Sequence, residues 1–169
     1  QTFIKEIPPP VSSPGSLLIQ TSHSLVSLGT EKNLVEFGKA SLIEKARREP
    51  EKVKQVLNSI NKNGLLPTLN RVFNKLDQPL PLGYCNVGKV IEVGSKVNSF
   101  SIGDRVVSNG PHAEIVSVPQ NLVSKVPNGV TSQNATFTVI GSIGLQSVRL
   151  INPQIGEKFV VIGLGLVGL

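Results

Sequence analysis

Only one cysteine, Cys85, occurs among the 169 residues, which excludes an internal disulfide framework and any cysteine-rich zinc site. Aromatics are scarce as well, with six Phe, one Tyr and no Trp. Set beside sixteen Gly and twelve Pro, that scarcity points to many turns and short strands, and so to a β-rich domain. No apolar run approaches the roughly 18–20 residues that span a bilayer, so a soluble chain with no membrane partner is expected. The opening stretch QTFIKEIPPP lacks the basic-then-apolar pattern of a leader. Together with the lone thiol, this makes the cytoplasm the expected compartment.

The formal net charge of +6 raises the question of nucleic acid. Nearly all the excess lies between Lys32 and Asp77, where ten Lys/Arg face five acids. The two signs are interleaved at helical spacing, as in Glu44/Arg48, which marks a solvated helix face. A phosphate-binding stripe is more uniformly basic and carries a recognisable module, so no nucleic-acid partner is expected.

The hydropathy period changes twice along the chain. Residues 2–7 (TFIKEI) and 17–27 (LLIQTSHSLVS) read as strands, separated by PPPVSSPG. From 32 to 76 the period is helical, in three pieces. Leu34, Phe37 and Leu42 belong to the first, which Pro50 ends. Val53, Val56, Leu57 and Ile60 form the second, closed by Asn63-Gly64. Leu66, Leu69, Val72, Phe73 and Leu76 form the third, before Pro79 and Pro81. Strand signals return at 88–94, 104–108, 113–119 and 122–127, with turn residues between them, as in a small barrel or sandwich. A helical pattern from Ser132 is ended by Pro153 and Gly156, and FVVIG (159–163) reads as a strand buried on both faces.

That last strand runs into Gly163-Leu164-Gly165-Leu166-Val167-Gly168, the G-x-G-x-x-G pattern of a dinucleotide-binding turn. Gly163 permits the turn, Gly165 lets the backbone approach a pyrophosphate, and Gly168 lets the following helix pack closely. Phosphates would rest on the N-terminus of that helix. The pattern alone is weak, because glycine-rich strand ends are common.

Several spaced motifs resemble the medium-chain dehydrogenase/reductase family, a GroES-like catalytic barrel followed by a Rossmann domain. IPPPVSSPGSLLIQ resembles its opening strand pair, and Ser27-Leu28-Gly29-Thr30-Glu31 its C-G-T-D segment. Gly83-Tyr84-Cys85-Asn86-Val87-Gly88-Lys89-Val90 resembles G-H-E-x-x-G-x-V, and Gly103-Asp104-Arg105-Val106 matches G-D-R-V. His112-Ala113-Glu114 with Val118-Pro119 resembles the A-E-Y…V-P strand. The departures matter equally. Leu28 stands where the family's zinc enzymes have Cys, Tyr84 where they have His, and Cys85 where they have Glu, so the resemblance implies a zinc-independent member. The long helical segment resembles zinc-free members fused further along to an oxidoreductase domain of the Gfo/Idh/MocA type. LVEFGKASLIEKAR, LLPTL, NKLDQPLPLGY, GDRVVSNGPHAE and VVIGLGLVGL carry that closer likeness. It implies surface-polysaccharide or sugar-nucleotide metabolism.

The resulting expectation is a mixed α and β chain. Residues 1–131 form a GroES-like β-barrel catalytic domain with a helical insert at 32–77. Residues 132–169 supply a connecting helix and the first strand and glycine turn of a truncated Rossmann domain. The implied reaction is hydride transfer between NAD or NADP and a small-molecule carbonyl, alcohol or activated alkene, with no zinc. The 169 residues alone are expected to be inactive, since a dinucleotide needs both halves of the doubly wound sheet. Thr30 is the candidate proton-relay hydroxyl, balanced by a helix-capping reading. Tyr84 is the candidate donor to the substrate oxygen, balanced by simple packing. Cys85 reads as a small buried residue rather than a nucleophile, and His112 as a turn or surface residue rather than a base. Gly163, Gly165 and Gly168 are the cofactor-binding candidates. Left open are a homodimer and a rival reading, in which a non-catalytic dehydrogenase relative meets a partner through its basic helices.

Overall fold

The computed structural model describes residues 2–68, 72, 74 and 79–169. The chain divides into two compact units, one around Lys32–Leu80 and one of Ile4–Glu31 with Pro81–Leu169.

The larger unit is built on five antiparallel strands: β1 (Ser16–Ser24), β2 (Asn86–Val93), β3 (Arg105–Ser108), β4 (Ile115–Pro119) and β5 (Val123–Lys125). Their order in the sheet is β4-β1-β2-β3-β5. The two outer strands, β4 and β5, are therefore consecutive in the chain, joined by a helical turn at Gln120–Leu122. Four peptide steps reach at most about 14 Å, whereas four strand spacings in a flat sheet span about 19 Å. The sheet must curl, and this connection accounts for its barrel-like form.

Alternation along the strands sorts the side chains. Leu17 and Ile19 from β1, Val90 from β2, Val106 from β3 and Val116 and Val118 from β4 point to one buried cluster, with Val97. Val87 and Val107 point the other way, against Val126 and Ala135. Ala135 belongs to a short helix, α4 (Ser132–Ala135), whose start is capped by Thr131 Oγ1 accepting from the Asn134 N–H at 3.2 Å. A longer helix, α5 (Thr138–Ile151), follows and ends at Asn152, in a left-handed conformation just before Pro153.

Two expected strands are not formed. TFIKEI is exposed and outside the sheet, with Ile4 fully accessible. FVVIG also pairs with nothing among the described residues, and Val160 and Ile162 are almost fully exposed. An apolar run becomes a strand only where a neighbour completes its ladder, and no described strand lies beside either segment.

The helical unit follows the sequence more closely. Helix α1 (Leu28–Lys39) starts in the larger unit and runs on past Lys32. Helix α2 (Leu42–Arg48) is separated from it by a capping box, in which the Ser41 N–H donates to Glu44 Oε2 at 2.9 Å and the Glu44 N–H to Ser41 Oγ at 3.3 Å. Helix α3 (Pro50–Asn63) has proline in its first turn and stops at Gly64, whose φ is +83°. The break at Ser41 splits the first expected helix in two. Charged pairs on this unit, Lys52–Glu49 at 3.2 Å and Lys54–Glu51 at 2.9 Å, are exposed, as a solvated face requires. The helical turn at 65–68 begins the third expected stripe, but its Leu69, Phe73 and Leu76 lie outside the described residues. No described helix is long and apolar enough to cross a membrane.

Candidate active site

Three of the motif segments meet in the larger unit. The carboxylate of Glu31, in the first turn of α1, is buried, with its side chain 9% exposed. Its Oε1 accepts the Ser27 N–H at 2.9 Å, filling the role of a cap for the helix start. Its Oε2 lies 3.0 Å from Nε2 of His112. The other ring nitrogen, Nδ1, lies 2.9 Å from the hydroxyl of Ser24 at the end of β1.

The backbone fixes the imidazole from behind. The His112 N–H donates to the Leu82 carbonyl at 2.7 Å. Gly83, with φ +90°, presses against the ring: a Cβ there would stand 2.6 Å from His112 Cγ and Nδ1. Only glycine satisfies both the left-handed backbone and that close approach. The Leu25 N–H donates to the Cys85 carbonyl at 3.0 Å, tying the end of β1 to the Gly83–Asn86 segment. Behind it, Thr21 Oγ1 donates to the Ala113 carbonyl and accepts from Asn86 Nδ2 at 2.7 Å.

Of the residues singled out by the sequence, Thr30 is exposed in the first turn of α1, and among the described residues its hydroxyl has no hydrogen-bond partner. Glu31, not Thr30, takes the capping role. Tyr84 is half-buried beside Cys85, and among the described residues its phenol likewise has no partner. Cys85 is fully buried. Burial pushes its thiol up; the Ile140 backbone N–H opposes this, and the Glu31 carboxylate adds to it. The thiol therefore stays protonated, which argues against a nucleophile. His112 lies in a bend, one of the two settings the sequence suggested, with its side chain 25% exposed and both nitrogens engaged. His23, by contrast, is exposed, and its ring lies 3.1 Å from the hydroxyl of its neighbour Ser22.

At the positions matching the family's zinc ligands stand Leu28, which has no donor atom, Tyr84 and the buried Cys85. Among the described residues, no three of His, Cys, Asp and Glu gather as a metal-binding group.

The glycine turn has one left-handed residue and one close backbone approach. Gly163 has φ +92°, and a Cβ on Gly168 would collide with the Gly163 carbonyl oxygen. The Gly168 and Leu169 N–H groups both donate to the Gly165 carbonyl, at 3.0 and 3.1 Å. Around Gly165 the space is open, with nothing within 4 Å of an added Cβ.

Residues 52–128 match the family model of the alcohol dehydrogenase GroES-like domain. D-guloside 3-dehydrogenase from Escherichia coli is 36% identical over 90 residues, covering 52% of this chain and 26% of that protein. (R,R)-butanediol dehydrogenase from Bacillus subtilis is 27% identical over 118 residues, covering 54% and 34%. The chain thus spans about a quarter to a third of the length of these relatives. Among solved structures, an Escherichia coli oxidoreductase/dehydrogenase superposes with a TM-score of 0.62 at 18% identity, covering 95% of this chain and 46% of the other. A quinone oxidoreductase from Coxiella burnetii gives 0.55 at 21%, covering 89% and 41%. At such identities the structures speak to the fold. The GroES-like match covers somewhat less than half of the chain, and with the dehydrogenase relatives it says what the chain is similar to.

Proposed function

We propose that the intact protein is a zinc-independent NAD(P)-dependent oxidoreductase, moving hydride to or from a carbonyl, alcohol or activated alkene. The observation that carries this reading is the meeting of Ser27–Glu31, Gly83–Asn86 and His112 at one buried carboxylate–imidazole pair. That pair sits on a GroES-like sheet whose chain runs on into the Gly163–Gly168 turn. Residues 132–169 then lead from the catalytic domain into a Rossmann domain, with Gly163, Gly165 and Gly168 against the pyrophosphate. Bound there, the nicotinamide supplies the hydride chemistry, and the protein positions substrate and handles the proton. Thr30 and Tyr84 are the hydroxyl and phenol proposed to face the substrate. A carbohydrate-type substrate is favoured by the guloside dehydrogenase relative. The stretch 1–169 by itself is proposed to be inactive, because it holds only the first turn of the cofactor site.

The test is a fluorescence titration of the intact protein with NADH and NADPH, alongside metal analysis. Saturable quenching by either nucleotide supports the reading, and none by both overturns it. Stoichiometric zinc overturns the zinc-independent part.

A further inference from the structure

We propose that Ser24, His112 and Glu31 form the proton relay of this oxidoreductase, with the Ser24 hydroxyl meeting the substrate oxygen. The inference rests on the reaction class proposed above, but its structural basis is separate. An ionised carboxylate only accepts hydrogen bonds, so the nitrogen 3.0 Å from Glu31 Oε2 must carry a proton. In a neutral imidazole that leaves Nδ1 as an acceptor, 2.9 Å from Ser24 Oγ, so the serine donates into the ring. The second carboxylate oxygen accepts from the Ser27 N–H at 2.9 Å, which holds the carboxylate in place against the ring and favours the proton on Nε2. The array therefore has a direction, running from an exposed hydroxyl through a one-quarter-exposed imidazole to a buried carboxylate.

This supplies what hydride transfer without a metal lacks, an acceptor for the hydroxyl proton. During alcohol oxidation a nicotinamide bound beside the substrate would accept the hydride as the carbon–hydrogen bond breaks. The substrate O–H proton passes to Ser24 Oγ as the serine's own proton passes to His112 Nδ1, and the carbon–oxygen double bond forms. The imidazolium that results faces Glu31 and later releases its proton to water. Carbonyl reduction runs the same steps backwards. Ser24 touches the substrate, while His112 acts through it and Glu31 positions His112.

Two measurements on the intact protein test this. Nitrogen-15 NMR of the imidazole, assigned by the signal lost in His112→Gln, reads the tautomer without any turnover. The relay requires the proton on Nε2 in the wild type and a mixed tautomer in Glu31→Gln, since an amide can donate as well as accept. A proton on Nδ1 in the wild type overturns it. Kinetically, His112→Ala should lower kcat about a hundredfold or more with little change in KM. Added imidazole should restore part of the rate; His112→Gln serves if the alanine variant does not fold. Unchanged kcat in a folded variant overturns the relay. Failure to bind NADH or NADPH would instead sink the reaction class, and the tautomer would still support or overturn the hydrogen-bonded array independently.

Discussion

Glu31 and His112 lie 81 residues apart in the chain, yet their side chains meet at 3.0 Å with the carboxylate almost sealed from water. The pair joins the start of α1 to the segment before β4, and both ends of the contact have further partners in Ser27 and Ser24. Removing the carboxylate leaves a ring N–H and a backbone N–H unpaired at once.

Glu31→Ala should therefore destabilise the protein by about 1–3 kcal/mol, the usual penalty for stranding buried polar groups. Urea unfolding of both proteins checks this, and an unchanged midpoint would mean that water replaces the carboxylate without loss.

Gly83→Ala should cost a similar amount, for a different reason. The added methyl meets the His112 ring at 2.6 Å on a backbone with φ +90°, so either the turn or the ring must move. Strain of this kind costs about 1–3 kcal/mol. The imidazole signals of His112 should shift in the variant, whereas an unmoved ring would place the strain in the turn alone.

How far this site was legible in the sequence depends on which contact is considered. The helix α3 was bracketed by Pro50 and Asn63-Gly64, and β2, β3 and β4 by their alternation and turn residues, because local chemistry sets those boundaries. The Ser41–Glu44 capping box lies inside a continuous helical period, so α1 and α2 read as one helix. TFIKEI and FVVIG misled because a strand pattern says nothing about whether a partner strand exists. The Glu31–His112 contact was out of reach, because it depends on the pairing of β1 with β4, which no local pattern reveals. That both residues fall inside family-like motifs was the one available hint.

Asp104 offers a pH test away from the site. A hydrogen bond from Lys125 at 2.8 Å, and one from the Ser101 N–H at 2.9 Å, hold its carboxyl below the usual aspartate range. A depressed folded-state value stabilises above the unfolded value and loses that stabilisation as pH falls through the folded one. The gap in urea midpoint between wild type and Asp104→Asn should be full near neutrality and shrink below about pH 4. A gap constant with pH would remove the charge from the explanation.

Gly168→Ala probes the other end of the chain. Its methyl would collide with the Gly163 carbonyl and open the turn, so the intact variant should bind NADH and NADPH at least about tenfold more weakly. Matching titrations of the two proteins decide it, with equal affinities placing the dinucleotide elsewhere.

The placement of β1 bears on how the molecule assembles. Strands β2 and β3 are close in sequence, whereas β1 sits between β2 and β4 and pairs Ser24 with Asn86 and Ser16 with Pro119. Its pairing with β2 closes the long stretch between Ser24 and Asn86, a non-local contact of the kind that slows folding. Yet closure entropy grows only logarithmically, so doubling that stretch costs only about 0.6 kcal/mol. The same arrangement that slows folding leaves the helical segment free to lengthen, shorten or change its charge over evolutionary time, with the barrel and the Glu31–His112 pair left in place.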